Sequence, residues 1–301
     1  MRSFIASEDG LRSTRRGRCI VAKLFALVLI ACLASPPSDF AVLSPASASD
    51  KSASDTAPQQ LPSNVEPPRY TPGSNPFHDG ERLLYQASWL GIPAGGARIE
   101  IHRDAASGGR GRWRIEAWIQ TNRAVDVVFR MRDYARETFF DGTFRPVDFL
   151  FAQRENKRKI DYRVAFDRPP GVATASRIKR SGTETHSFRT INSFGPASGA
   201  VMALSQQLRP GDNVAFDVIA GTNRYVFAFD IAGADKISTA AGTFDAVKIV
   251  PAVSWTSNES MRTETRATTV WVSTDARRLP VRIESQAFFG VVRADLVAVE
   301  N

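Results

Sequence analysis

Cysteine is almost missing from the 301-residue chain: Cys19 and Cys32 are the only two, and both fall within the first 48 residues. Beyond them there is no thiol to form a disulfide, attack a carbonyl or ligate a metal. Histidine is nearly as scarce. His78, His102 and His186 stand apart, and no His-x-x-x-His or His-x-x-Glu-His spacing occurs, so the convergent ligands of a metal site or a His-based acid–base pair are not supplied by any local motif. No Gly-x-Ser-x-Gly elbow accompanies Ser193, Ser198 or Ser205. Gly91, Gly95 and Gly96 lie in a strand turn rather than opening a helix, which excludes a phosphate loop. Long hydrophobic runs are also lacking: the apolar stretch Leu24–Leu33 is about half of what a spanning helix needs.

Charge of one sign is present but modest. The formal net charge is +8, and the leader, residues 1–48, holds six Lys or Arg against three acidic residues, leaving +5 for the rest. The basic residues are scattered and no aromatic recognition motif accompanies them, so nucleic acid is not an expected partner. An excess of this size fits an anionic envelope component or ordinary solubility.

Arg2, Arg12, Arg15, Arg16 and Arg18 precede the apolar stretch, the arrangement of an export signal. Two processing sites remain open. Ala46-Ser47-Ala48 has the small-x-small form of a signal peptidase site and gives a periplasmic protein. Leu29-Ile30-Ala31-Cys32 has the form of a lipobox, in which Cys32 is the candidate lipidation site of a membrane-anchored lipoprotein. Residues 49–75, rich in Ser, Ala, Asp, Gln and Pro, offer little to bury and read as a disordered linker.

Residues 76–301 read as a single β-rich periplasmic domain. Turn signals recur every ten or so residues between alternating runs, as many antiparallel strands require. Trp113, Ile115, Ala117 and Ile119 share one face, while Arg114, Glu116, Trp118 and Gln120 share the other. Ile160, Tyr162, Val164 and Phe166 alternate with polar neighbours in the same way, and so do Val247, Ile249, Val281 and Ile283. Asp275 to Arg278 supplies a polar turn, and Pro280 is confined to a position that needs no ladder donor. Val201, Leu204 and Leu208 stand at helical spacing before Pro210-Gly211, which predicts one helix over about residues 197–208. The expected fold is all-β: a long antiparallel sheet forming an open barrel or β-spiral, capped or plugged by that helix.

Gly80-Glu81-Arg82-Leu83-Leu84-Tyr85 with Trp89 and Gly91, Gly95 to Ile99, Leu208-Arg209-Pro210-Gly211-Asp212, Ala241 to Ile249 and Trp271 to Ile283 follow one another over residues 76–299. In that order they resemble an uncharacterised family of exported bacterial proteins, domain-of-unknown-function family 3108. The resemblance implies an envelope β-protein and carries no catalytic or ligand residues.

Three groups of residues are candidates for interaction. Arg154, Lys157, Arg158, Lys159 and Arg163 form a basic cluster that could meet an anionic partner or serve as a solvated hairpin end. Phe149, Phe151, Phe166, Phe227 and Phe229 could line an apolar cavity or fill a core. Asp126, Asp133, Glu137, Asp141 and Asp148 are interspersed with Arg123, Arg130, Arg132, Arg136 and Arg145, the pattern of a salt-bridged solvated face rather than a catalytic pair. The function expected is therefore non-enzymatic, without cofactor. Its first form binds a lipid or other apolar or amphipathic envelope component; the alternative is an envelope-integrity scaffold docking on a protein or cell-wall partner.

Overall fold

A computed structural model describes residues 70–104, 111–167, 171–257, 260–264, 268–286 and 290–301, with backbone alone between 253 and 267. The export signal, Cys32 and most of the linker lie outside the described residues. Eight strands come first: β1 (Arg82–Trp89), β2 (Ile92–Asp104), β3 (Arg112–Thr121), β4 (Arg132–Phe140), β5 (Pro146–Glu155), β6 (Arg158–Ala165), β7 (Val172–Lys179) and β8 (Gly182–Arg189). Helix α1 (Arg123–Asp126) interrupts the β3–β4 connection, and helix α2 (Pro196–Leu204) follows β8. Seven more strands complete the chain: β9 (Asn213–Ala220), β10 (Asn223–Thr239), β11 (Gly242–Ser257), β12 (Ser260–Glu264), β13 (Thr268–Ser273), β14 (Pro280–Gln286) and β15 (Val291–Glu300).

All fifteen join one sheet, in the order β8-β7-β6-β5-β4-β3-β2-β1-β15-β14-β13-β11-β10-β9, with β12 paired to β11. The first half is a meander of sequence neighbours, the second is one except that β11 pairs with β13 past the β11–β12 hairpin, and the antiparallel pairing of β1 with β15 joins them. Period-two alternation orients the strands as expected. On β3, Trp113, Ile115, Ala117 and Ile119 are buried, while on the other face Arg98 pairs with Glu100 along β2 and Arg114 with Glu116 along β3. Pro280 opens β14 opposite a bulge at Trp271/Val272, where no ladder donor is required.

The sheet stays open, with β8 and β9 as its edges. The segment between them does two things. Phe194 makes a parallel bridge to Val218, its N–H donating to the Asp217 carbonyl at 2.8 Å and its carbonyl accepting from Ile219 N–H at 2.9 Å, so this piece of chain covers the β9 edge. Helix α2 then fills the interior. Val201 and Met202 belong to the core built on β2–β10, while Leu204 belongs to a second core built on β1, β10, β11, β13, β14 and β15. Burying a Val, Leu or Met contributes about 1.5–3 kcal/mol each, and α2, like β10, adds buried apolar side chains to both cores.

Two details differ from the sequence reading. The helix spans Pro196–Leu204, not 197–208: the Ser205 hydroxyl and the Gln206 amide both donate to the Met202 carbonyl, at 2.8 and 3.2 Å, and take up the acceptor that another turn would use. Leu208 is still buried, so its apolar spacing reflects packing beyond the helix end. The four-residue α1 was not expected. Asn122 caps it, accepting from Val125 N–H at 3.0 Å.

Candidate functional site

The chemistry inside the sheet gathers around α2. Its first turn leaves backbone N–H groups without helical partners. Glu137, on the inward parity of β4 with Ala135 and Phe139, supplies the acceptors: Ala197 N–H donates to Oε2 at 2.6 Å and Ser198 N–H to Oε1 at 3.0 Å. Ser198 in turn accepts from Gly195 N–H at 2.9 Å. Burial pushes the Glu137 carboxyl up to about 7, despite these helix donors. A Cβ on Gly195 would collide with the Glu137 carboxylate, so only glycine permits this approach.

Beside this cap runs a buried ion pair. Arg224 on β10 grips Asp217 on β9 through two hydrogen bonds, Nε to Oδ1 at 2.8 Å and Nη2 to Oδ2 at 2.7 Å, and both side chains are buried. Ser193 donates to the same carboxylate, and Arg224 Nη1 donates to the Arg189 carbonyl at 2.9 Å. The cluster therefore fastens the end of β8 to the β9–β10 hairpin across the open seam.

Two hollows flank α2. One is a small apolar crevice of about 50 Å³ bounded by Gly199, Ala200 and Ala203 of the helix and by Phe216, Phe227 and Phe229 of the sheet. The other is a cleft of about 370 Å³. Pro146, Phe166, Phe194 and Met202 give it apolar surface, and Arg145, Asp167, Thr190 and Asn192 give it polar groups. Arg145 Nη2 lies 2.5 Å from Asp167 Oδ2. The cleft opens at the end of the sheet where β4 turns into β5 and where β6 and β8 end.

The five phenylalanines do not line one cavity. Phe149 and Phe151 are fully buried in the core, Phe166 borders the larger cleft, and Phe227 and Phe229 border the crevice, because α2 occupies the space between them. The basic cluster is also divided. Arg154 pairs with Asp161 at 2.5 Å, and Lys159 and Arg163 share its outward parity on the β5–β6 hairpin. Lys157 stands at the turn, and Arg158 acts electrostatically on Asp133.

Among the carboxylates, Asp126 pairs with Arg132 at 2.5 Å, Asp141 with Arg103 at 2.6 Å and Asp148 with Arg136 at 3.4 Å. Asp133 and Glu137 instead point inward, against the expectation of a uniformly solvated face. Burial pushes Asp133 up to about 7. One of its oxygens accepts from Arg154 N–H at 2.6 Å; the other, together with the Gln153 carbonyl and the Tyr162 hydroxyl, has no hydrogen-bond partner.

Asp217 and Arg224 were missed by sequence reasoning, and Glu137 and Arg145 were read only as members of a salt-bridged solvated face. Signals existed: Glu137 shares parity with Ala135 and Phe139, and Asp217 interrupts the apolar run Phe216–Ala220. The fold, the order of its motifs and the pairing of β1 with β15 now bear on kinship. This chain belongs to the DUF3108 family of proteins of unknown function. The family model matches residues 84–297. No curated protein matches the chain. Among solved structures, the DUF3108 chain is similar to a beta-barrel-like protein of domain of unknown function DUF1849 from Brucella abortus, with a TM-score of 0.45 and 8% identity over 73% of this chain and 96% of that one. It is also similar to a candidate exported protein with a YmcC-like fold from Bacteroides fragilis (TM-score 0.35, 10% identity, 77% of this chain and 99% of that one). A third is a candidate lipoprotein from Parabacteroides distasonis (TM-score 0.31, 14% identity, 74% and 96%).

Proposed function

We propose that this DUF3108 protein is a non-enzymatic periplasmic binding protein that holds an amphipathic envelope component. The apolar part of that molecule lies against Phe166, Phe194 and Met202, and its polar end meets the guanidinium of Arg145. The observation that carries this reading is the cleft of about 370 Å³, which combines an apolar floor with a few polar groups at its margin. Its size and lining fall within the range of small-molecule sites, about 300–1,000 Å³. Arg145 is largely exposed and, among the described residues, ion-paired only to Asp167, which leaves further N–H donors of its guanidinium to meet a carboxylate or phosphate head. The envelope assignment rests on the basic, apolar leader.

A holding role also agrees with how the interior carboxylates are used. Glu137 is committed to the helix amides and Asp217 to Arg224, and neither they nor Asp133 line the cleft. The experiment is titration with a fluorescent fatty acid. Saturable binding is expected, weakened about tenfold or more, equivalent to about 1.4 kcal/mol, by Ile191→Trp, which fills the cleft from its exposed side. Arg145→Ala should weaken it less. Equal affinity of the wild type and Ile191→Trp, or no saturable binding, would remove the cleft from consideration.

A further inference from the structure

The opposite end of the sheet carries a second feature. Antiparallel order places the turns β1–β2, β3–β4, β5–β6 and β7–β8 at the end away from the cleft. Four of the five large exposed apolar side chains of the described residues lie there; the fifth, Ile191, borders the cleft. Leu90 and Ile92 at the β1–β2 turn are 52% and 69% exposed, and Val127 and Val128 after α1 are 86% and 80% exposed. The two turns are neighbours: Asn122 Nδ2 donates to the Pro93 carbonyl at 2.6 Å and Asn122 N–H to the Ala94 carbonyl at 2.9 Å. Beneath them Ala87, Ala94, Ile119, Phe129, Met131 and Val292 form a small separate core. The tips are thus held up by a rigid base.

Leu90 itself is held at φ +52°, followed by Gly91 at φ +80°. Positions of this kind in two-residue hairpins favour Asn, Asp or Gly, because a branched apolar side chain in the left-handed region is strained. Placing leucine here costs stability and leaves about half of an apolar side chain in water, the rest lying against Gly290. Strain of this sort points to a use outside the fold.

Charge at the same end indicates what that use is. Arg123 and Arg130 flank Val127 and Val128, and Asn156 N–H donates to the Arg130 carbonyl at 2.8 Å, which brings Lys157 of the β5–β6 turn alongside. Arg123, Arg130 and Lys157 form no salt bridge among the described residues. Asp126, the acidic residue of α1, is already paired with Arg132. Exposed apolar tips ringed by unpaired cations match the interface of an anionic bilayer, where apolar groups enter the acyl boundary and cations meet lipid phosphate.

We infer that this end of the protein docks on an anionic lipid surface, with Leu90, Ile92, Val127 and Val128 inserted and Arg123, Arg130 and Lys157 on the headgroups. The cleft then faces away from the membrane. This inference does not depend on the cleft being occupied.

Hydrogen exchange of the full chain, alone and with vesicles, tests it independently of any anchoring by the leader. With vesicles of equal parts phosphatidylglycerol and phosphatidylcholine, amides of residues 89–94 and 122–131 should slow by about tenfold. Phosphatidylcholine alone should give little slowing, and salt should reverse the effect. The combined variants Ile92→Ser/Val127→Ser/Val128→Ser and Arg123→Gln/Arg130→Gln/Lys157→Gln, all at exposed positions, should melt like the wild type and lose the slowing. Absence of slowing, or slowing that both variants retain, overturns the proposal. Slowing that grows with protein concentration without vesicles also overturns it, because it assigns the surface to a second copy of the chain.

Discussion

At the scale of single residues, the account rests on polar groups placed where apolar ones would be expected. Gly195→Ala should destabilise the protein by more than the roughly 1 kcal/mol typical when a favourable N-cap residue is replaced by alanine, because the new methyl group displaces the Glu137 carboxylate. Thermal unfolding measures this, and a melting point equal to the wild type would show that the cap is dispensable. Arg224→Ala leaves Asp217 buried and uncompensated, so a loss of about 3–5 kcal/mol is expected in chemical denaturation. A loss below about 1 kcal/mol would mean that water reaches Asp217 and that the seam is looser than its hydrogen bonds imply.

At the scale of elements, β4 governs pH dependence, since it carries the two buried carboxylates whose pKa burial raises. Asp133 rises from the ordinary 3.8 to about 7 and Glu137 from 4.5 to about 7 through burial. The folded state therefore keeps their protons in a window where the unfolded chain releases them. Their contribution to stability is full below about pH 4 and fades as pH rises through about 7. Asp126 and Glu184 act oppositely: hydrogen bonds from Arg132 and His186, respectively, hold their pKa low, and that stability is lost on acidification. Unfolding free energy should fall between about pH 5 and pH 8, by on the order of 1–3 kcal/mol. Asp133→Asn should flatten the profile, whereas an identical slope in that variant would assign the dependence elsewhere.

The same elements show how far the sequence could be read. The alternation on β3 and β6, the turn at Asp275–Arg278 and the apolar spacing of α2 follow from local periodicity, and each was legible. The end of α2 was not, because Ser205 and Gln206 compete for the Met202 carbonyl through side-chain geometry that no periodicity encodes. The division of the five phenylalanines between core, cleft and crevice was hidden for a different reason: it depends on where a non-local helix settles among strands distant in sequence. The Asp217–Arg224 pair announced itself only as a charge within an apolar run, and its partners Ser193 and Arg189 come from across the seam.

At the scale of the whole molecule, the open sheet has two unlike ends. One presents the cleft beside Met202 and Arg145; the other presents apolar tips among cations that form no salt bridge among the described residues. A protein that docks by one end and holds an amphipathic molecule at the other would need both ends intact, so their variants should separate: Ile191→Trp should abolish ligand retention and leave the rim unchanged, and the rim variants should do the reverse. The central claim, that the cleft holds an amphipathic molecule, is tested most directly by native mass spectrometry of the exported protein taken gently from the envelope. The account predicts a co-purifying adduct of lipid-like mass that is lost on Ile191→Trp; a bare protein in both preparations would contradict it.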